Sequence, residues 1–235
     1  GLAAVSFQDV NGDGYNDIVL IALCDEGKHK RKKIGEVLFA NEEGFYRDWR
    51  ISEKINRYGM NKSVDLICAY VRDGKSTEFL YEATTREELL QHGFSIISEQ
   101  CYSREFEKFG NLWVAPGTFR IGSYEIFMIY LIDSQGNIVW SFQPMGEYDS
   151  LYALKGIHCR DIDGDGMKDM IVLGRYSMEI GGQRSVISDY EIYYQRTGNF
   201  VVDEEFKKRY RCNDGDTVEE LVNKARGYWG WSLEE

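Results

Sequence analysis

Apolar residues along this chain come in short runs rich in β-branched and aromatic side chains, separated by stretches of Gly, Asp and Asn. That alternation predicts strands joined by turns. Ala3-Ala-Val-Ser-Phe7 and Ile18-Val-Leu-Ile-Ala22 flank one acidic stretch, and Gly156-Ile-His-Cys159 and Met170-Ile-Val-Leu173 flank another. A hairpin pattern follows each pair, Glu36 to Phe45 and Glu191 to Phe200. Tyr124–Asp133 with Ile138–Phe142 predicts a further hairpin, and Val64–Val71 with Ser76–Tyr81 another, turning at Asp73-Gly74. Two helices are predicted. Thr85-Arg-Glu-Glu88 and Thr217-Val-Glu-Glu220 have the form of capping boxes, and Gly93 and Gly227 mark the two ends. The chain reads as one domain over 1–235, mainly β, with a mixed insertion around 85–110.

The acidic stretches carry the chemistry. Asp9-Val-Asn11-Gly-Asp13-Gly-Tyr15-Asn-Asp17 and Asp161-Ile-Asp163-Gly-Asp165-Gly-Met167-Lys-Asp169 place oxygen side chains at the first, third, fifth and ninth residues of a tight loop. Calcium takes 6–8 oxygen ligands, and alternate residues of a curled loop converge on one point. The carbonyls of Tyr15 and Met167 are the expected seventh-residue ligands. A turn without metal would favour Gly, Asn and Ser. Four carboxylates in nine residues repel, by about 1 kcal/mol per pair at 4 Å in water and about four times that at a protein-like dielectric. Two calcium ions are therefore expected, the second held more tightly because its loop has four carboxylates against three and an amide.

An EF-hand would need a bidentate Glu at its twelfth residue. Here those places hold Leu20 and Val172, inside apolar runs. Each loop is thus expected to join two strands. Strand, Asp-x-(Asp/Asn)-Gly-Asp-Gly-x-x-Asp, strand resembles the FG-GAP/VCBS-type repeat of integrin α-subunit heads and many secreted bacterial proteins. The resemblance covers about a third of the chain or somewhat more and implies calcium-carrying, four-stranded blades of a β-propeller. The loops lie 161 − 9 = 152 residues apart, against ~40–50 for successive blades. The fold class expected is propeller-like, with a β-sandwich built from the same hairpins as the alternative.

Composition narrows the function. With 16 Tyr, 12 Phe and two Pro in 235 residues, the chain is expected to fold around a sizeable core. No apolar run reaches the ~20 residues of a membrane-spanning helix. The net charge of −11 disfavours nucleic acid and anionic membranes as partners. The basic run Lys28-His-Lys-Arg-Lys-Lys33 is expected at a solvated hairpin tip. Five cysteines without Cys-x-x-Cys spacing argue against zinc. Loops without a bidentate Glu bind modestly, as extracellular modules do at ~10⁻⁴–10⁻³ M. An extracellular or cell-surface protein, with a leader or anchor removed, is the expectation.

No nucleophile elbow or phosphate loop occurs, and none of His29, His92 and His158 sits in a catalytic motif. A calcium-pinned scaffold recognising a protein or glycan is the functional expectation. The alternative is a secreted carbohydrate-active enzyme or sugar-binding module. A carboxylate pair for it could be assembled from distant residues such as Glu125 and Glu191, which no motif selects, and Tyr228, Trp229 and Trp231 are its stacking aromatics. A cap over the final strands is the more ordinary use of those three rings.

Overall fold

The computed structural model describes residues 1–25, 31–180 and 183–231. Lys28, His29 and Lys30 of the basic run, expected at a hairpin tip, lie outside the described residues. Two compact units form, the first mainly from Gly1–Glu82, the second from Ala83–Arg120, Tyr124–Glu179 and the chain from Arg184 on.

In the first unit, β1 (Leu2–Gln8), β2 (Asp17–Asp25), β3 (Arg31–Asn41) and β4 (Gly44–Arg47) make an antiparallel meander in chain order. Odd-numbered residues of its central strands, Val19, Ile21, Val37 and Phe39, are buried, as a period of two requires when one face is covered. Two helices follow, α1 (Trp49–Arg57), capped by Asp48, and α2 (Val64–Asp73), capped by Ser63. The Asn56 side chain accepts from Gly35 N and donates to Gly35 O, both at 2.8 Å. It continues the edge of β3 where β4 has ended.

One predicted hairpin is wrong. Residues 64–81 form α2 and the single turn α3 (Phe79–Glu82), not two strands. Val64, Ile67, Cys68 and Val71 recur at helical spacing, and Leu66, Ile67 and Cys68 are buried. Gly74, at φ +66°, ends the helix in the left-handed conformation, with its N–H on the carbonyls of Ala69 and Tyr70. Asp-Gly serves a helix stop as readily as a hairpin turn.

The second unit opens with α4 (Arg86–Gln91), capped by Thr85 as predicted. A five-stranded antiparallel sheet follows: β5 (Ser95–Ile96), β6 (Tyr102–Phe106), β7 (Gly110–Ile121), β8 (Tyr124–Ile132) and β9 (Ile138–Phe142). Its order is β5-β7-β8-β9, with β6 also on β7. The predicted insertion thus supplies strands to a sheet. A second meander runs through β10 (Ser150–Arg160), β11 (Asp169–Ile180), β12 (Gln183–Arg196) and β13 (Asn199–Val202). Then come α5 (Glu204–Arg209), capped by Asp203, and α6 (Val218–Trp229), with the complete Thr217/Glu220 capping box and its end at Gly230.

The two sheets of this unit pack face to face. Phe106, Val114, Phe127, Ile129 and Phe142 share one core with Ile157, Met170, Val172, Tyr193 and Phe200. The opposite face of the meander lies under the helices, where Ile171, Leu173, Ile192 and Tyr194 meet Phe206, Leu221, Val222 and Ala225. The protein is mainly β, with three antiparallel sheets, none closed into a barrel. The β-sandwich alternative fits the paired sheets of the second unit.

Gly35 gives a test of the packing in the first unit. A Cβ there would lie 2.9 Å from Ile55 Cγ2 and 3.0 Å from Ile67 Cδ1. Gly35→Ala is expected to cost about 1–3 kcal/mol by overpacking, read from urea denaturation. A variant as stable as the parent would mean that the helices do not press on the sheet there.

Candidate metal centre

Each acidic loop joins the first two strands of a meander, β1 to β2 and β10 to β11, as expected. The two loops fold alike. The first carboxylate closes the turn: Asp9 accepts from Gly12 N at 2.7 Å and Gly14 N at 2.8 Å, and Asp161 from Gly164 N at 2.8 Å and Gly166 N at 3.0 Å. These glycines have φ between +81° and +92°, where a Cβ is disfavoured. The fifth residue accepts two places on, Asp13 from Tyr15 N at 2.9 Å and Asp165 from Met167 N at 2.8 Å.

The ninth residue is buried. Asp17 and Asp169 are 0% exposed. Asp17 takes Val10 N at 2.9 Å on one oxygen and Ala40 N at 2.8 Å on the other. Asp169 takes Ile162 N at 2.8 Å and Gln195 N at 2.9 Å. One carboxylate therefore ties the start of its loop to the third strand of its meander.

Asp161, Asp163 and Asp169 bring carboxylate oxygens within 4.8 Å of one another. Among the described residues they are the one group of three or more acidic, His or Cys side chains to do so. Asp165 stands apart from this trio. The first loop has Asn11 where the second has Asp163; its Nδ2 donates to Asp13 Oδ2 at 2.8 Å and its Oδ1 accepts from Asp13 N at 3.1 Å. Tyr15 is exposed, its hydroxyl 3.4 Å from Glu42 Oε1.

The surroundings of the second loop were not predicted. Arg196, at the end of β12, places Nη2 2.7 Å from Asp163 Oδ2 and Nη1 3.1 Å from Asp165 Oδ2. Glu107 accepts from Lys168 N at 2.7 Å and from Gln195 Nε2 at 3.0 Å, and pairs with Lys168 Nζ. Arg226 of α6 donates to Asp161 O at 2.8 Å, and Trp231 Nε1 to Ile162 O at 2.9 Å. These residues lie 26–69 positions in sequence from the loop residues they reach, and no local pattern marks them. Arg196 offsets one of four negative charges, and Lys168 is shared with Glu107. Hard oxygen donors in excess of cations fit a divalent ion.

The charge balance shows in the titration of the loop. Burial pushes the Asp169 carboxyl up to about 7 from 3.8, with Asp163 and Asp165 adding to the rise. Burial also raises Asp165, although the Met167 N–H and Arg196 oppose it. In the first loop the Gly14 N–H, with those of Gly12 and Asp13, holds Asp9 below its ordinary value.

The other candidates have structural partners. Trp229 donates to the Tyr194 hydroxyl at 3.1 Å and meets that ring edge-on at 5.5 Å, while Arg226 lies 4.8 Å over Trp231. Tyr228 packs on Phe206. These aromatics form the expected cap. Glu191 pairs with Lys207 at 2.8 Å and Glu125 with Arg120 at 3.5 Å. All five cysteines are free thiols. Among the described residues no helix is long and apolar enough to cross a membrane. No family model, curated protein or solved structure matches the chain.

Asp169 sets a pH dependence. Its folded value is raised, so its stabilising contribution is full below about 3.8 and is lost as pH climbs through about 7. A divalent ion held by this loop would bind the ionised form and reverse that loss. The rise in melting temperature produced by calcium is therefore expected to keep growing between about pH 5 and pH 7.5. An increment already flat above pH 5, as ordinary carboxylates would give, would remove Asp169 from the ion's shell.

Proposed function

We propose that the protein is a calcium-stabilised β scaffold for extracellular recognition of a protein or glycan. The second loop would hold one ion through Asp161, Asp163, Asp165, Asp169 and the Met167 carbonyl. The first would hold another through Asp9, Asn11, Asp13, Asp17 and the Tyr15 carbonyl. One observation carries this reading: two loops in separate meanders share the same hydrogen-bonded path, and one of them gathers three carboxylates within 4.8 Å. Kinship with FG-GAP/VCBS-type repeats is part of the proposal. It is supported by the acidic loop between the first two strands of each four-stranded meander, the arrangement of a blade in that family.

Calcium in this reading stabilises and does not switch. Both loops are anchored at their ninth residue to a third strand, so the ligands ride on elements already committed to the core. Recognition would then fall to surfaces that the pinned sheets hold in place. The acidic surface of a chain at −11 suits a partner that is not a nucleic acid or an anionic membrane.

Thermal melts in calcium and in chelator test the proposal. At 100 times the dissociation constant one site adds about 2.7 kcal/mol, and each kcal/mol moves the melting point of such a chain by roughly 2–4 °C. Chelation is expected to lower the melting temperature by about 5–10 °C per site and to leave the far-UV spectrum unchanged. Equal melting temperatures in the two buffers would refute calcium binding. Arg196→Gln is expected to tighten calcium at the second loop about tenfold, because it removes a positive charge worth ~1–3 kcal/mol against the ion at close range. Weaker binding in that variant would make Arg196 a support of the site and not a competitor.

A further inference from the structure

A recess of about 330 Å³ lies beside the start of the second loop, lined by Tyr102 and Arg104 of β6 and by Ile157, His158, Cys159 and Arg160 of β10. Both strands are at sheet edges. Ile157 and Cys159 point into the core, so their neighbours His158 and Arg160 point the other way. Arg160 Nη2 stands 3.1 Å from His158 Nδ1. A guanidinium only donates, so Nδ1 accepts and the ring proton sits on Nε2. Burial, with Arg160 and Arg104 beside it, lowers the His158 pKa and keeps the ring neutral against the upward pull of Glu219. Arg160 also pairs with the half-exposed Glu219 of α6 at 2.8 Å. Arg104 lies 5.7 Å over the Tyr102 ring and has no carboxylate partner among the described residues.

The fold does not require this cluster. Arg160 and His158 precede their loop as Gln8 and Ser6 precede the first, and both pairs face the second strand in the same register. In the first meander Gln8 Nε2 donates to Ser6 Oγ at 3.0 Å. The same bridge is thus made there by neutral groups. Glu219 answers Arg160, but the second guanidinium, Arg104, and the imidazole N–H in the same recess, on a chain of net charge −11, need another reason.

We propose that this recess binds a small oxyanion, the carboxylate or phosphate group of a ligand, through the guanidiniums of Arg104 and Arg160 and the Nε2–H of His158. Planar guanidinium forks match carboxylate and phosphate oxygens. The volume is at the lower end of small-molecule sites, enough for the anionic group and a few further atoms. Tyr102 supplies an apolar wall, its hydroxyl engaged with Ile157 O at 3.2 Å.

The test is an NMR titration of the whole chain with inorganic phosphate and, separately, with acetate, at fixed ionic strength. Saturable shifts of the Arg104 and Arg160 side chains and of the His158 ring are expected with at least one of the two anions. The stronger anion identifies the ligand group. Arg104→Gln and Arg160→Gln should each weaken binding about tenfold or more with an unchanged far-UV spectrum; the second repeats the side chain found at the corresponding place of the first meander. No saturable shift with either anion at tens of millimolar would overturn the proposal. So would binding that both variants retain at full strength.

Discussion

A buried carboxylate at the ninth loop residue organises each meander. Asp17 and Asp169 spend one oxygen on an N–H at the start of the loop and the other on an N–H of the third strand. Those N–H groups are buried, and each would cost about 1–3 kcal/mol if left unpaired. The same bond pair fixes where the loop leaves the sheet and which residue of the third strand lies beside it. A carboxylate held this deep is costly as an anion unless a cation is near. If the loops hold calcium as proposed, folding and metal binding meet in one side chain.

How much of this was legible in the sequence follows from how local each signal is. The loops were, because oxygen residues at alternate places with glycine between them encode the curl within nine residues. The hairpins around Glu36, Glu191 and Tyr124 were, because period-two runs meet Gly and Asn turns. Residues 64–81 were misread because Asp73-Gly74 fits both a hairpin and a helix stop, and burial of Leu66 and Ile67 settled it. Helix α1 was missed because Ile51 and Ile55 are its only aliphatic residues. Strand β6 was hidden because Ser103, Arg104 and Glu105 face solvent. The partners Arg196, Glu107 and Arg226 reach the second loop only through the tertiary fold, so the expectation that charge count alone ranks the two sites had no access to them.

The two meanders share a scaffold and differ in what they carry. Asp48 and Asp203 cap the helix after each fourth strand in the same way. Glu36 is linked to Ser52 and Glu191 to Lys207 across that helix. Against this constancy, Asn11 becomes Asp163, Gln8 becomes Arg160, and Ser6 becomes His158. The second loop and the strand before it hold more charge of both signs than the first pair, and more side chains fold onto that loop. Constant residues answer to the fold, and the exchanged ones are where the chemistry differs.

Both loops, as proposed, are calcium cages built on one plan. An anomalous difference map from crystals grown in millimolar calcium tests this most directly. One peak is expected inside each loop, with the oxygens of Asp9, Asn11, Asp13 and Asp17 around the first and those of Asp161, Asp163, Asp165 and Asp169 around the second, at about 2.3–2.6 Å. A map with no peak in either loop, and Arg196 still bridging Asp163 and Asp165, would contradict it.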